Sequence, residues 1–369
     1  MRIVIAGGGT AGHVFPGLAL ANELRARGHR VSFAGTARGL EARLVPEAKF
    51  DFHPIEASPF VRRLSLAALR APIVAMRAVR QSRRIVTGSD VVVGMGGYVS
   101  VPAVLAARRE KVPAVLHEQN AVPGLANRVL SVPARRTALS FEAAAKRFPR
   151  GVRDRLVVTG NPVREEILRV REEGQSLAKE GRRELELDEA RRTVVIFGGS
   201  QGALHIDRAA AGACRLLGRR RDLQVVLITG PAHLELVRKA LPDEGGGLLV
   251  RTVGFLDRMD LAYACADLVV SRAGATTIAE LTAVGLPSLL VPYPYATGRH
   301  QEANARAVQR AGGASLLLDD QLTAETLAAR IESLIDHQER LDAMADRSRA
   351  FGRPDAAASL ADLVEEAAP

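Results

Sequence analysis

A short apolar run that empties into glycines and then into a helix has few folds open to it, and this chain carries the pattern three times. Ile3-Val4-Ile5-Ala6 leads into Gly7-Gly8-Gly9-Thr10-Ala11-Gly12-His13-Val14-Phe15-Pro16-Gly17 and then the helix-like Leu18 to Arg27. Thr193 to Phe197 leads into Gly198-Gly199-Ser200-Gln201-Gly202-Ala203 and the helical pattern Ile206 to Leu217. A third instance, Val91 to Val93 followed by Gly94-Met95-Gly96-Gly97-Tyr98, lies within the first half. Glycine lets the backbone approach a ligand that a Cβ would hold off, and the first amides of the following helix carry about half a unit of positive charge. Each loop is therefore a candidate cradle for an anion or a sugar hydroxyl. A tight strand-to-helix turn with no ligand is the competing account. His13 favours the cradle, because an imidazole titrates near neutral pH and can take a proton from a bound hydroxyl.

At 369 residues the chain exceeds one ordinary core and fits two domains. Strands at Val31 to Ala34, Phe50 to Ile55, Val91 to Val93 and Ala114 to Leu116 alternate with helical stretches, which implies a parallel sheet with crossover helices. Gly160-Asn161-Pro162-Val163-Arg164 is a turn that stops the first sheet. The charged stretch Arg169 to Arg192 reads as an interdomain segment plus a solvated helix. Strands at Gln224 to Ile228, Leu248 to Val250, Leu268 to Val270 and Leu289 to Val291 then repeat the alternation, so the fold class is α/β.

Lys and Arg exceed Asp and Glu by 51 to 41, a net charge of +10, which suits an anionic partner: nucleic acid, an acidic membrane surface or a phosphorylated small molecule. Trp is absent and aromatics make up 4%, which argues against stacking platforms for single-stranded nucleic acid. From Phe60 to Arg84 seven arginines occur with no acidic residue. Leu66, Leu69, Ile73 and Met76 fall at helical steps, with Arg70, Arg77 and Arg80 beside them, the form of a basic amphipathic membrane-surface helix. A crossover helix with a solvated basic face fits the same residues. Cys214 and Cys265 stand apart in apolar contexts and read as buried thiols in a reducing compartment. The N-terminal apolar run stops at Ala6, so no secretory signal is expected.

Polar residues gather where strands end, which is where open α/β sheets bind ligands. His117-Glu118-Gln119-Asn120 follows one strand; the first three suit hydrogen bonds within the loop, and Asn120 faces substrate. Ser271-Arg272-Ala273-Gly274-Ala275-Thr276-Thr277 opens a helix able to bind phosphate, with Glu280 one turn in, placed for a ribose diol. A capping box, Thr277-x-x-Glu280, would account for the same pair without a ligand. Gln301 and Asn304 share a helical face after a further strand.

The ordered set Gly8 to Gly17, His117 to Asn120, Gly160 to Arg164, Gly198 to Ala203, Ser271 to Gly274 and Gln301 to Asn304 resembles the signature of the MurG family, N-acetylglucosaminyltransferases of peptidoglycan synthesis. The resemblance implies a GT-B fold, two Rossmann-like domains with parallel sheets facing across a cleft. It implies a membrane- and acceptor-binding domain over 1–162, a UDP-GlcNAc-binding domain over 163–350, and a C-terminal helix over 351–369 that crosses back to the first. It implies inverting transfer of GlcNAc to the MurNAc C4 hydroxyl of undecaprenyl-pyrophosphoryl-MurNAc-pentapeptide, lipid I to lipid II, by a peripheral enzyme on the cytoplasmic face of the membrane, working with other cell-wall synthesis proteins of growth and division and with no nucleic acid.

Carried over by position, Ser200, Leu256, Ala275, Thr276, Thr277, Glu280 and Gln301 would meet the donor, and Thr10, Ala11, Gly12, Asn120 and Arg164 would complete the site from the first domain. His13 is the candidate base, and Arg272 with the helix start would offset the charge that leaves on UDP. If position 11 required a positive φ, Ala11 would cost about 1 kcal/mol. No Asp-x-Asp pair occurs, so neither a metal nor another cofactor is required, UDP-GlcNAc being a substrate. A UDP-GlcNAc 2-epimerase shares the architecture but needs paired acid and base carboxylates and no membrane helix. A dehydrogenase fits Gly7-x-Gly9-x-x-Gly12, but no acidic residue closes the second strand. A non-enzymatic basic binding protein explains the charge and leaves His13, Glu280 and Gln301 unexplained.

Overall fold

The computed structural model describes residues 1–57, 66–199, 202–241 and 247–369, with the backbone alone for 66–73 and 75. The chain forms two units, Met1–Arg164 with Asp355–Pro369, and Glu165–Pro354. The sequence turn at Gly160 to Arg164 thus sits at the crossing point, while the second crossing falls at Asp355, at the start of the last helix.

In the first unit, β1 (Arg2–Ala6), β2 (Arg30–Gly35), β3 (Asp51–Pro54), β4 (Val91–Gly94), β5 (Ala114–Glu118), β6 (Arg136–Leu139) and β7 (Leu156–Val158) form one parallel sheet in the order β3-β2-β1-β4-β5-β6-β7. Ile3, Val4, Ile5 and Ala6 are all buried, as are Val91 to Val93, because helices cover both faces of such a sheet and leave no side for a polar alternation. In the second, β8 (Arg192–Phe197), β9 (Leu223–Ile228), β10 (Leu249–Val253), β11 (Leu268–Ser271), β12 (Ser288–Leu290) and β13 (Ala314–Leu316) follow the order β10-β9-β8-β11-β12-β13. Strand order therefore reverses between β1 and β4, and between β8 and β11. These are the switch points at which doubly wound sheets open a crevice. The glycine loop after β4 lies beside the loop after β1, and Ser271 to Gly274 beside the loop after β8.

The first helix begins at Ala11, inside the run that looked like one long loop, and continues to Ala26 with Pro16 within it. Gly9 alone carries the positive φ there (+80°), so Ala11 is helical and unstrained. Arg169 to Arg192 is not an interdomain segment. Its helix Val170–Glu184 buries Val170, Leu177, Ala178 and Gly181, and a Cβ on Gly181 would come within 2.8 Å of Leu261 O, so it packs tightly on Met259–Cys265 within the second unit. Scattered apolar residues suffice there because its partner is close. Both cysteines are buried, which pushes Cys214 up to about 12 and Cys265 up to about 11 and keeps the thiols protonated.

The last helix, Ala356–Ala367, packs on the first unit. Leu360, Ala361, Leu363, Val364 and Ala367 join Ile3, Ile5, Leu20 and Leu24 in one core cluster. Arg27 ties its outer side, donating to Asp362 (2.6 Å), Glu365 (2.9 Å) and the Ala358 carbonyl (3.2 Å). Leu360→Ala leaves a cavity in that cluster and should lower unfolding free energy by about 3 kcal/mol in urea titrations, where exposed Glu366→Ala changes little.

Candidate active site

In the first unit the loop after β1 is held from below by Glu41, a buried carboxylate that sequence reasoning missed. Its Oε2 accepts the Gly9 amide at 3.0 Å, and its Oε1 accepts the Thr36 amide at 2.9 Å and the Thr36 hydroxyl at 2.7 Å. Burial raises its pKa, but those bonds outweigh burial and hold the carboxyl below its usual range. A Cβ on Gly8 would lie 2.1 Å from Oε1, so glycine there serves an internal carboxylate as well as any ligand. No motif marks Glu41 in the sequence; it is one acidic residue at the start of a short helix.

Thr10 caps the first helix, followed by Ala11, Gly12 and His13 in its first turn. His13 Nδ1 lies 3.1 Å from Thr10 Oγ1 and 3.2 Å from the Gly8 carbonyl, an acceptor that suits a proton on Nδ1 and, in the neutral ring, leaves the lone pair to Nε2. The loop after β4 makes room for the ring: Cβ atoms on Gly96 and Gly97, both at positive φ, would stand 3.3 Å from it. Below them His117 is fully buried. Its Nε2 donates to the Gly160 carbonyl at 2.9 Å and its Nδ1 accepts from Gln119 Nε2 at 3.1 Å. Burial lowers its pKa to about 4, so it is neutral at pH 7. Glu118 accepts from the Asn120 and Gly124 amides and from Asn127 Nδ2, and Gln119 donates to the Met95 carbonyl. These bonds fix the loop from which half-buried Asn120 projects. Arg164 lies over the Phe15 ring at 4.6 Å, on the same helix as His13.

In the second unit the helix Ala275–Val284 is capped by Gly274, which rules out the Thr277-x-x-Glu280 capping box. Ala275, Thr276 and Thr277 therefore occupy its first turn with amides that bond to none of the described residues, and Thr276 Oγ1 is buried without a partner among them. Glu280 is buried and accepts the Tyr263 hydroxyl at 3.1 Å. Tyr263 comes from a helix whose sequence carries no site signal. Gln301 Oε1 accepts the Tyr293 amide at 2.9 Å, and Asn304 donates to the Ala273 carbonyl at 3.3 Å. Leu256 follows β10, half-buried. Ser200 lies outside the described residues.

Arg272 requires a correction. Its guanidinium donates to the Val291 and Pro292 carbonyls, both at 3.2 Å, pairs with Asp319 and stacks on Tyr293. It braces β11 against the following loops, and its charge is neutralised by Asp319, so it is not a spare cation for a diphosphate.

The basic helix runs from Leu66 to Val86. The side chains of Leu66, Leu69, Arg70 and Ile73 lie outside the described residues. Ala78, Val79, Ser82 and Val86 are its buried face, while Met76 is 65% exposed beside exposed Arg77 and Arg80. Its neighbour Gly97–Arg109 packs in turn on Leu125–Leu130. Leu125 (71% exposed), Val129 (60%) and Val132 (56%) stand out there, next to exposed Arg128. Among the described residues no helix is long and apolar enough to cross a membrane.

Comparisons with known proteins agree on the family. The glycosyltransferase family 28 N-terminal domain matches residues 3–139 and the family 28 C-terminal domain residues 193–360. The UDP-N-acetylglucosamine–N-acetylmuramyl-(pentapeptide) pyrophosphoryl-undecaprenol N-acetylglucosamine transferase of Halothermothrix orenii is 42% identical, over 100% of this chain and 99% of its own. The crystal structure of Acinetobacter baumannii MurG superposes with a TM-score of 0.78 at 29% identity, covering 99% of both chains. A UDP-GlcNAc 2-epimerase from Neisseria meningitidis, bound to UDP-GlcNAc, reaches 0.69 at 16% identity over 99% and 100% of the two chains, a likeness of fold alone.

The buried neutral His117 makes stability depend on pH. Its folded pKa lies below its unfolded value of about 6.5, so the folded state resists protonation that the unfolded chain accepts. Stability is complete above pH 6.5 and falls by about 3 kcal/mol as pH drops toward 4. Urea midpoints measured across that window should show a smaller drop in His117→Asn than in the native chain.

Proposed function

The chain belongs to glycosyltransferase family 28, in its MurG branch, and we propose that it transfers GlcNAc from UDP-GlcNAc to the MurNAc C4 hydroxyl of undecaprenyl-pyrophosphoryl-MurNAc-pentapeptide. The identity that extends over the whole of a curated transferase carries this reading. The shared fold would not, since epimerases have it too.

His13 Nε2 takes the C4 hydroxyl proton while that oxygen attacks the anomeric carbon. The bond from that carbon to the diphosphate breaks on the opposite side, so the configuration inverts. Charge gathers on departing UDP, where the first-turn amides and the Thr276 hydroxyl at the start of Ala275–Val284 accept it without reorganising. Glu280, oriented by Tyr263, takes the ribose hydroxyls. Leu256 meets uracil through its backbone, Ser200 joins the diphosphate contacts, and Gln301 offers its amide N–H to GlcNAc, its Oε1 being taken by Tyr293. Thr10, Ala11, Gly12, Asn120 and Arg164 serve the acceptor side. No step in this scheme calls for a metal or other cofactor.

The acceptor's lipid anchor is reached at the cytoplasmic membrane surface. Exposed Met76, Leu125, Val129 and Val132, with Arg77, Arg80 and Arg128, fit an apolar patch rimmed by cations that rests on anionic lipid. Leu66, Leu69, Ile73 and Arg70 extend that surface by sequence.

UDP release from UDP-GlcNAc, measured with and without a short-chain lipid I analogue, tests the reaction. Acceptor-dependent release with a disaccharide product is expected, whereas release with an isomerised sugar and no acceptor would make it an epimerase. His13→Ala should lower kcat about 10² to 10⁴-fold with UDP-GlcNAc affinity near normal; unchanged turnover would remove the base. Leu125→Asp with Val129→Asp should abolish sedimentation with anionic vesicles while turnover of a water-soluble acceptor persists.

A further inference from the structure

The second unit holds an Asp–His pair that the mechanism above does not use. Asp207 lies in the first turn of Leu204–Leu216, directly behind the glycine loop that follows β8, and its side chain is sealed from solvent. One carboxylate oxygen, Oδ2, lies 2.7 Å from His233 Nδ1, and the other has no hydrogen-bond partner among the described residues. The carboxylate thus fixes one ring nitrogen of His233 and turns the other, Nε2, away from it. Burial pushes the Asp207 carboxyl up to about 6 against the pull of His233, which still leaves it ionised at pH 7.

His233 ends the loop after β9, the strand beside β8, so both loops rise from the carboxyl edge of the sheet. A Cβ on Gly202, where φ is +75°, would lie 3.1 Å from His233 Nδ1, which places the ring against the glycine loop itself. The His233 side chain is 23% exposed, so one edge reaches solvent while Asp207 holds the other inward. A diphosphate at this loop needs hydrogen-bond donors, and Arg272 is already paired with Asp319.

We propose that His233, oriented by Asp207, is a donor-binding residue whose second ring nitrogen holds the diphosphate of the nucleotide sugar at the second glycine loop. Backbone amides there supply donors, and an N–H at His233 Nε2 adds one more from a side chain. Asp207 is a positioning residue: it fixes the ring plane and keeps the proton on Nδ1. This inference rests on the second unit being the nucleotide-sugar domain.

Calorimetric titration with UDP, UDP-GlcNAc and uridine separates a diphosphate contact from general support of the loop. His233→Phe should weaken UDP and UDP-GlcNAc about tenfold and leave uridine unchanged. His233→Gln, which keeps an N–H, should fall between, and Asp207→Asn should resemble it. KM for UDP-GlcNAc should rise in parallel, with kcat at saturating donor nearly constant. Equal weakening of uridine and UDP would mean that the pair only shapes the loop, and no change in either would mean that His233 is outside the site; both overturn the proposal. If the native chain binds neither uridine nor UDP, the nucleotide-sugar reading itself fails and His233 falls with it.

Discussion

Parallel pairing in both directions from one central strand is the constraint on which the rest of each unit depends. β1 pairs with β2 on one side and β4 on the other, in matching register, and β8 does the same with β9 and β11. Crossovers that leave such a strand in opposite directions part company at its carboxyl end, where no helix covers the strand tips. Backbone amides are exposed there at a place walled by packed sheet. Glycine is needed on that site's own account, because the loops must pass close to one another before any ligand arrives. Gly96 and Gly97 clear the His13 ring, and Gly202 clears the Thr229 carbonyl, 2.0 Å from where its Cβ would be.

The two units meet the cost of this opening in different ways. In the first, buried carboxylates take up the loose backbone donors: Glu41 holds the loop after β1, and Glu118 holds the one after β5. Those bonds set the course of the loops from within the unit, which suits a base that must meet a hydroxyl at a fixed point. In the second, Thr276 Oγ1 is buried without a partner among the described residues, and the helix start at Ala275 has no side-chain cap. Polar groups left in that condition inside a folded protein call for an explanation, and an anionic ligand with its counter-charge supplies one.

The architecture was legible in the sequence because apolar runs buried on both faces of a parallel sheet have no polar interruptions to confuse them. Gly9, Gly96 and Gly202 announced the switch points for the same reason that they are needed there. His117 and Gln119 were correctly read as internal, since a polar cluster straight after a strand has backbone groups within reach. Three things were hidden. Glu41 reaches Gly9 across 32 positions, and no local pattern reports a contact of that span. Arg272 looked like a free cation because Asp319, its partner, lies on a distant loop. Val170–Glu184 looked solvated because burying Leu177, Ala178 and Gly181 requires a neighbour that approaches glycine closely, which is a property of the partner helix.

The return of Ala356–Ala367 to the first unit has a consequence for biosynthesis. Residues 1–164 emerge from the ribosome carrying β1 and the first helix, but the apolar side chains that seal that core, Leu360, Leu363 and Val364, are translated nearly two hundred residues later. At ordinary elongation rates the gap is about 10 to 40 s, long compared with the folding of a domain this size. The second unit can close on its own within that interval, since all its strands lie in one continuous stretch. The half of the molecule made first is therefore the half finished last, and a nascent chain stalled before residue 356 presents an open hydrophobic face to chaperones rather than a working half-enzyme.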